Sequence, residues 1–159
     1  MLTVAEIMSR EPYTLGPDDS LADARGLMAQ HHIRHVPIVT DDAVLVGLVS
    51  QRDVLAAGDS SVPTDLPVKR AADERDIALS SIMTSPVKTV DENASLRGTA
   101  MLLQRNRVGC LPVVEDGRLV GIITDSDFVT IAINLMEQLE TAEPDFSEDN
   151  FDEAPELAL

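Results

Sequence analysis

The stretch Val46-Gly47-Leu48-Val49-Ser50-Gln51-Arg52-Asp53 returns later in the chain as Val120-Gly121-Ile122-Ile123-Thr124-Asp125-Ser126-Asp127. Each copy reads glycine, two β-formers, a hydroxyl residue, two spacers and an aspartate. The pattern predicts the end of a strand and the start of a helix, with Ser50 or Thr124 at the N-cap. A helix N-terminus carries unpaired N–H groups and a partial positive charge, which suits a phosphate. The aspartate three residues on, in the first helical turn, is placed to accept the hydroxyl protons of a ribose. The same residues also make a capping box, in which that carboxylate reaches back to the N–H of the cap. A glycine inside a strand marks a place where ligand or backbone comes close. Since a cap requires no glycine there, its recurrence weights the reading toward a nucleotide site, and the two roles are compatible until a ligand arrives.

Working outward, the chain matches itself at a shift of 75 residues. Ile7-Met8 matches Ile82-Met83, Thr14-Leu15 matches Thr89-Val90, Ser20-Leu21 matches Ser95-Leu96, and Val36-Pro37-Ile38-Val39 matches Leu111-Pro112-Val113-Val114. After Asp41-Asp42 the shift falls to 74, so the first repeat carries one extra residue in a hairpin loop, where insertions are tolerated. Within each repeat the expected order is a short lead-in helix capped by Thr3-x-x-Glu6, a strand at Tyr13 to Leu15, a helix from Ser20, a strand through Val36 to Val39, a strand through Val44 to Val49, and the helix begun by Ser50. Leu21, Ala24, Leu27 and Met28 make one apolar helical face, and Leu96, Thr99, Leu102 and Leu103 make its counterpart. Glu115-Asp116-Gly117-Arg118 has the Asp-Gly pair of a tight hairpin. A unit of about 55 residues buries too little surface to be comfortable alone, so the two repeats are expected to share a core. The boundaries read as repeat one over 1–57, a linker over 58–77 that turns helical toward its end, repeat two over 78–139, and a tail over 140–159 of disordered composition.

Composition narrows the function. The chain has 159 residues with an aliphatic, aromatic-poor content. No apolar run is long enough for a membrane span and no signal peptide opens the chain, so a soluble cytoplasmic protein with no membrane partner is expected. The formal charge of −16 argues against a nucleic-acid surface. The charge is uneven, because no basic residue follows Arg118 and nine acids fall from Glu137 onward, leaving −7 for the rest. The single cysteine, Cys110, lies between apolar neighbours and reads as a buried thiol, not a nucleophile. The apolar positions Phe128, Ile131, Leu135 and Leu139 keep helical spacing, and that helix is expected to dock on the body or on a second copy. Phe146, Phe151, Leu157 and Leu159, set among acids, read as part of a solvating tail or as a short docking segment.

With these motifs in order in both halves, the chain resembles a tandem pair of cystathionine-β-synthase-type (CBS) domains, a Bateman module, over about Leu2 to Leu139 with only the tail attached. The resemblance implies an α/β (α+β) fold of two pseudo-twofold-related β-α-β-β-α repeats packed sheet to sheet. It also implies two clefts between the repeats, homodimerisation, and binding of adenosine compounds such as AMP, ADP, ATP or S-adenosylmethionine, with no cofactor required. On it, Asp53 and Asp127 hold ribose hydroxyls, and Ser50 and Thr124 meet phosphate. Thr14 and Thr89 border the adenine, and Val36, Pro37, Leu111 and Pro112 wall the clefts. Arg34 and His35 sit where the family places phosphate-facing bases, with Arg52 beside them. Repeat two offers Gly109, Cys110 and Ser126 at those positions, and adds Asp125. The repeat-one cleft is therefore expected to prefer the phosphorylated nucleotide, provided each cleft is governed by its own repeat.

Two other readings compete with a ligand sensor acting on an unknown regulated protein. An enzyme has little support, since His31, His32 and His35 crowd one helix end without a nucleophile motif, and a zinc site from His31 and His35 has no cysteine or nearby carboxylate to complete it. No catalytic or metal-binding residue is expected. A protein-interaction module with vestigial clefts and a partner-recruiting acidic tail is the other alternative.

Overall fold

The computed structural model describes residues 1–58 and 73–142. Two units divide the chain, Met1–Asp127 and Phe128–Leu159, and both repeats lie in the first apart from the rest of the last helix. The predicted linker core at 59–72 and the tail beyond Ala142 fall outside the described residues.

The elements are β1 (Ser9–Arg10), α1 (Leu21–His31), β2 (His35–Val39), β3 (Leu45–Ser50), α2 (Gln51–Gly58), α3 (Leu96–Asn106), β4 (Cys110–Glu115), β5 (Arg118–Thr124) and α4 (Asp125–Ala142). Single 3-10 turns at Val4–Glu6 and Leu79–Ser81 open the two repeats, and a third at Glu74–Asp76 precedes the second. Local chemistry explains the helix ends. Thr3 N–H donates to Glu6 Oε2 at 2.7 Å, the lead-in cap read from Thr3-x-x-Glu6. Ser20 and Asp23 exchange two hydrogen bonds at the head of α1, and Ser95 Oγ accepts from Gly98 N at 3.0 Å at the head of α3. His32 and Arg107 close the two helices in the left-handed conformation at equivalent positions.

β2 and β3 pair antiparallel, as do β4 and β5, with a register shift at Ile38/Val39 and a matching one at Val113/Val114. The predicted strand at Tyr13 to Leu15 shrinks to one parallel bridge, Leu15 to Ile38, mirrored by Val90 to Val113. The Asp-Gly hairpin forms with positive φ at both Asp116 and Gly117, as a tight turn with the right twist requires.

One feature of the topology was not legible. No strand is expected before Tyr13, yet β1 crosses to repeat two and pairs with β5, Ser9 opposite Ile122. Its counterpart Thr84 crosses to repeat one and pairs with Leu48 through two hydrogen bonds of 2.9 and 3.1 Å. The repeats thus exchange their lead-in segments. Leu79, from the start of repeat two, is fully buried in a core otherwise made by Leu21, Ala24, Met28, Val36, Ile38, Val49 and Val54 of repeat one. Further bonds come in symmetric pairs: Val4 N to Ala94 O with Leu79 N to Asp19 O, and Leu45 N to Gly117 O with Leu119 N to Ala43 O. The bridge between Val44 and Arg118 joins positions that are each other's image, so it marks the pseudo-twofold axis at the hairpin tips.

The exchange also accounts for the repeated glycine. A Cβ on Gly47 would lie 2.3 Å from Met83 Sδ, and one on Gly121 would lie 2.6 Å from Met8 Sδ and 2.9 Å from the Ser9 carbonyl oxygen. What comes close to each glycine is the incoming lead-in of the other repeat. The glycine therefore reports strand exchange, and the weight given to it as a mark of a nucleotide site is withdrawn.

Candidate functional site

The first residues of α2 are fixed from two sides. Gln51 N donates to Arg34 O at 2.7 Å, tying the helix start to the residue before β2. Ser50 N donates to Asp53 Oδ2 at 2.8 Å and Asp53 N donates to Ser50 Oγ at 3.1 Å, so the capping box is fully formed. In repeat two Asp125 N donates to Gly109 O at 3.0 Å, and Asp127 Oδ2 accepts from Thr124 N at 2.8 Å. Both aspartates thus cap their helices, and each keeps a carboxylate at a helix N-terminus.

Beside Asp53 lies a cavity of about 870 Å³ built by both repeats. Repeat one supplies Arg34, His35, Ser50, Arg52 and Asp53; the exchanged lead-in of repeat two supplies Thr84, Pro86, Val87 and Lys88. Arg107, Gly109, Cys110 and Asp125 close the far side. Arg34, Arg52, Lys88 and Arg107 thus stand against two carboxylates. Lys88 and Arg107 were not foreseen, because the exchange that brings them here is invisible to a repeat-by-repeat comparison. Lys88 Nζ donates to Asn106 Oδ1, which holds it beside the end of α3.

The image positions differ in kind. Lys88 and Asn106 correspond to Tyr13 and His31, whose rings stack with centroids 3.7 Å apart. Arg107 corresponds to His32, Arg52 to Ser126 and Arg34 to Gly109. Lys88, Arg107 and Arg52 thus have no arginine or lysine at their image positions, whereas Arg34 and Gly109 line this same cavity and image each other, so that pair does not distinguish the two clefts. The premise that each cleft is governed by its own repeat does not hold, because half the cationic side chains come from repeat two.

Other expected residues lie elsewhere. Val36, Pro37, Leu111 and Pro112 are buried and are not among the residues lining the cavity, because β2 and β4 are covered on both faces, so neighbours that point to opposite sides are both enclosed. Thr89 is exposed and follows Lys88 directly, on the segment that borders the Asp53 cavity. Thr14, its counterpart, follows the β1 segment that pairs with repeat two, on the side of Thr124 and Asp127. His31 is engaged with Tyr13 while His35 faces the cavity, and among the described residues no three potential ligands gather around a metal position.

Burial sets the chemistry of the inner wall. Cys110 is 3% exposed, and its thiol is pushed up to about 12, by burial first and then by Asp125 and Asp127. It is a structural thiol, as its apolar flanks suggested. Burial also draws the His35 imidazole below its ordinary value; Asp125 opposes this, Arg34 adds to it, and Asp53 opposes it more weakly.

Comparison with known proteins returns the CBS domain family twice, over residues 4–60 and 79–134. This chain belongs to the CBS-domain family. It is 37% identical over 124 residues to inosine-5'-monophosphate dehydrogenase of Mycobacterium tuberculosis, spanning 77% of this chain and 21% of that relative. A Vibrio cholerae protein assigned provisionally to acetoin utilization (AcuB) has a crystal structure similar at a TM-score of 0.75 and 46% identity, over 91% of this chain and 99% of that one. Crystal structures of two further CBS pairs are similar at TM-scores of 0.71. CBSX2 in complex with AMP is 27% identical, over 86% of this chain and 99% of that one. The MJ0100 pair in complex with 5'-methylthioadenosine and S-adenosyl-L-methionine is 26% identical, over 85% and 98%. Family membership makes this a tandem CBS-domain regulatory module, and among the described residues no helix is long and apolar enough to cross a membrane.

Proposed function

We propose that this CBS pair is a non-catalytic sensor of phosphorylated adenosine compounds and acts on another protein in trans. The observation that carries the reading is the cavity at Asp53, where a ribose-type acceptor at a helix N-terminus meets four basic side chains drawn from both repeats. Binding there spans the exchanged lead-in of one repeat and the helix start of the other, so a ligand stiffens the junction between them. That is a mechanical route from occupancy to a partner. The AMP complex of CBSX2 supports an adenosine ligand in this fold. The cation set favours AMP, ADP or ATP over the uncharged 5'-methylthioadenosine.

The same reading includes a homodimer. The apolar face of α1 is consumed by the core, but Leu55 on α2 and Met101 and Leu102 on α3 are exposed. On α4, Val129, Ile133, Leu135, Met136 and Leu139 are each more than half exposed. A second copy is the occupant proposed for these faces, and light scattering at micromolar concentration tests it: a monomer mass removes the dimer from the reading.

Calorimetry with AMP, ADP, ATP, S-adenosylmethionine and adenosine tests the sensor. Micromolar binding of a phosphorylated member supports it, as does a rise in melting temperature with ligand concentration. If none binds below millimolar, the clefts are vestigial and the interaction-module alternative stands.

A further inference from the structure

His35 opens β2 at the point where repeat one meets repeat two across the cavity. A Cβ built on Gly109 would lie 3.3 Å from His35 Cε1, 3.5 Å from His35 Nε2 and 3.4 Å from Asp125 Oδ2. A methyl group at position 109 would press on the imidazole and sit in ordinary contact with the carboxylate, so the ring and Asp125 both border this one glycine in the same corner of the wall. The ring has no twin, since the image of His35 is Cys110. The groups facing it are Asp125 at the head of α4, Asp53 in α2, Arg34 beside it in the chain, and Arg52, Lys88 and Arg107 on the same cavity wall. Cys110, also on that wall, stays a neutral thiol.

We propose that His35 reads the charge of the ligand's phosphate chain, taking up a proton as the phosphates enter and so tying binding to proton uptake. This rests on the nucleotide reading above. In the free protein, burial disfavours the imidazolium more than Asp125 favours it. A phosphate beside the ring adds an opposite charge, which moves the balance toward the protonated form. The sign follows. The bound-state value lies above the free-state value, so between the two, binding consumes a proton and affinity rises as pH falls. A ligand without phosphate, such as adenosine, brings no charge and so no proton.

The test is calorimetry of AMP, ATP and adenosine at pH 7.5 in two buffers of different ionisation enthalpy. At that pH the phosphates have already lost their second proton, whose pKa is about 6, so uptake reports the protein. The wild type is expected to take up a measurable fraction of a proton with AMP and ATP and none with adenosine. His35→Asn should abolish the uptake and weaken ATP by roughly five- to tenfold, the difference between a charge-assisted and a neutral hydrogen bond, with adenosine unaffected. Binding of ATP without proton uptake, or the same uptake in His35→Asn, overturns the proposal. Where that variant does not fold, the His35 imidazole resonance of the wild type decides: its titration midpoint must rise on adding ATP, and an unmoved midpoint is refutation. Failure of every adenosine ligand to bind at any pH overturns the nucleotide reading itself, and this proposal with it.

Discussion

Replacing Gly121 by alanine should destabilise the protein, and by more than the same change at Gly47. In an ordinary strand interior the substitution is favourable by roughly 0.5–1 kcal/mol, because alanine has less backbone entropy to lose. Here the new methyl group would stand 2.6 Å from Met8 Sδ and 2.9 Å from the carbonyl oxygen of Ser9. The methionine can rotate, but the carbonyl belongs to a strand held by its register with β5, Ser9 opposite Ile122. Overpacking of this kind costs about 1–3 kcal/mol. At Gly47 the three nearest atoms belong to the Met83 side chain, from 2.3 Å at Sδ to 3.1 Å at Cβ. Met83→Ala should therefore relieve Gly47→Ala, whereas Met8→Ala should relieve Gly121→Ala only in part. Urea denaturation of the four single and two double variants gives these differences directly, and the double-mutant coupling isolates the contact. If Gly121→Ala is neutral or stabilising, the close approach of the lead-in does not exist in solution and the argument for exchange built on it is wrong.

Asp53→Ala should cost about 1 kcal/mol of stability through the lost cap and should also weaken AMP, while Asp127→Ala should cost a similar amount of stability with less effect on AMP; equal losses of AMP affinity in a titration would contradict the asymmetry. Lys88→Ala and Arg107→Ala should each lower ATP affinity by about tenfold or more in calorimetry and leave adenosine within about twofold. Cys110 should resist iodoacetamide in the native protein at pH 8 and react readily in urea, since a thiol near 12 is almost wholly protonated there. The sign for stability follows: burial raises this thiol from its ordinary 9.0, so the fold is favoured below that value and should lose stability as pH rises from about 9 toward about 12, as thermal melts across that range can follow.

Much of this was legible because it is local. Ser20, Ser50 and Ser95 cap helices through atoms three residues away, and Asp116-Gly117 closes its turn by its own backbone preference, so neighbours in sequence suffice to place them. Apolar spacing placed Leu21, Ala24 and Met28 inside, though Leu102, grouped with the equivalent face of α3, is 42% exposed. The exchange was hidden because Ser9-Arg10 carries no strand signal of its own; its pairing is decided by a β5 edge more than 100 residues away. Two clues were on the page, the paired methionines Met8 and Met83 and the paired glycines Gly47 and Gly121, but nothing in the sequence connects one pair to the other. The same gap hid Lys88 and Arg107 from the site. Ser50, Arg52 and Asp53 were named from the repeated motif, and Arg34 and His35 from the family resemblance, and all five line the cavity; residues that arrive by crossing over need coordinates.

The crossing of lead-ins is a domain swap closed within a single polypeptide. Each repeat's inner strand is paired by the other's lead-in, Leu79 of repeat two sits in the core of repeat one, and the connection after Gly58 makes that association unimolecular. A short tether of this kind sets an effective concentration in the millimolar range. Cut at that connection, the halves should hold together only as far as their own affinity allows, and two copies of one half could complete each other by the same exchange. The doubled sequence can thus be viewed as a dimer whose subunits were joined end to end. Once joined, the two were free to diverge, and Arg52, Lys88 and Arg107 beside Asp53, whose image positions hold Ser126, Tyr13 and His32, are what that freedom permits.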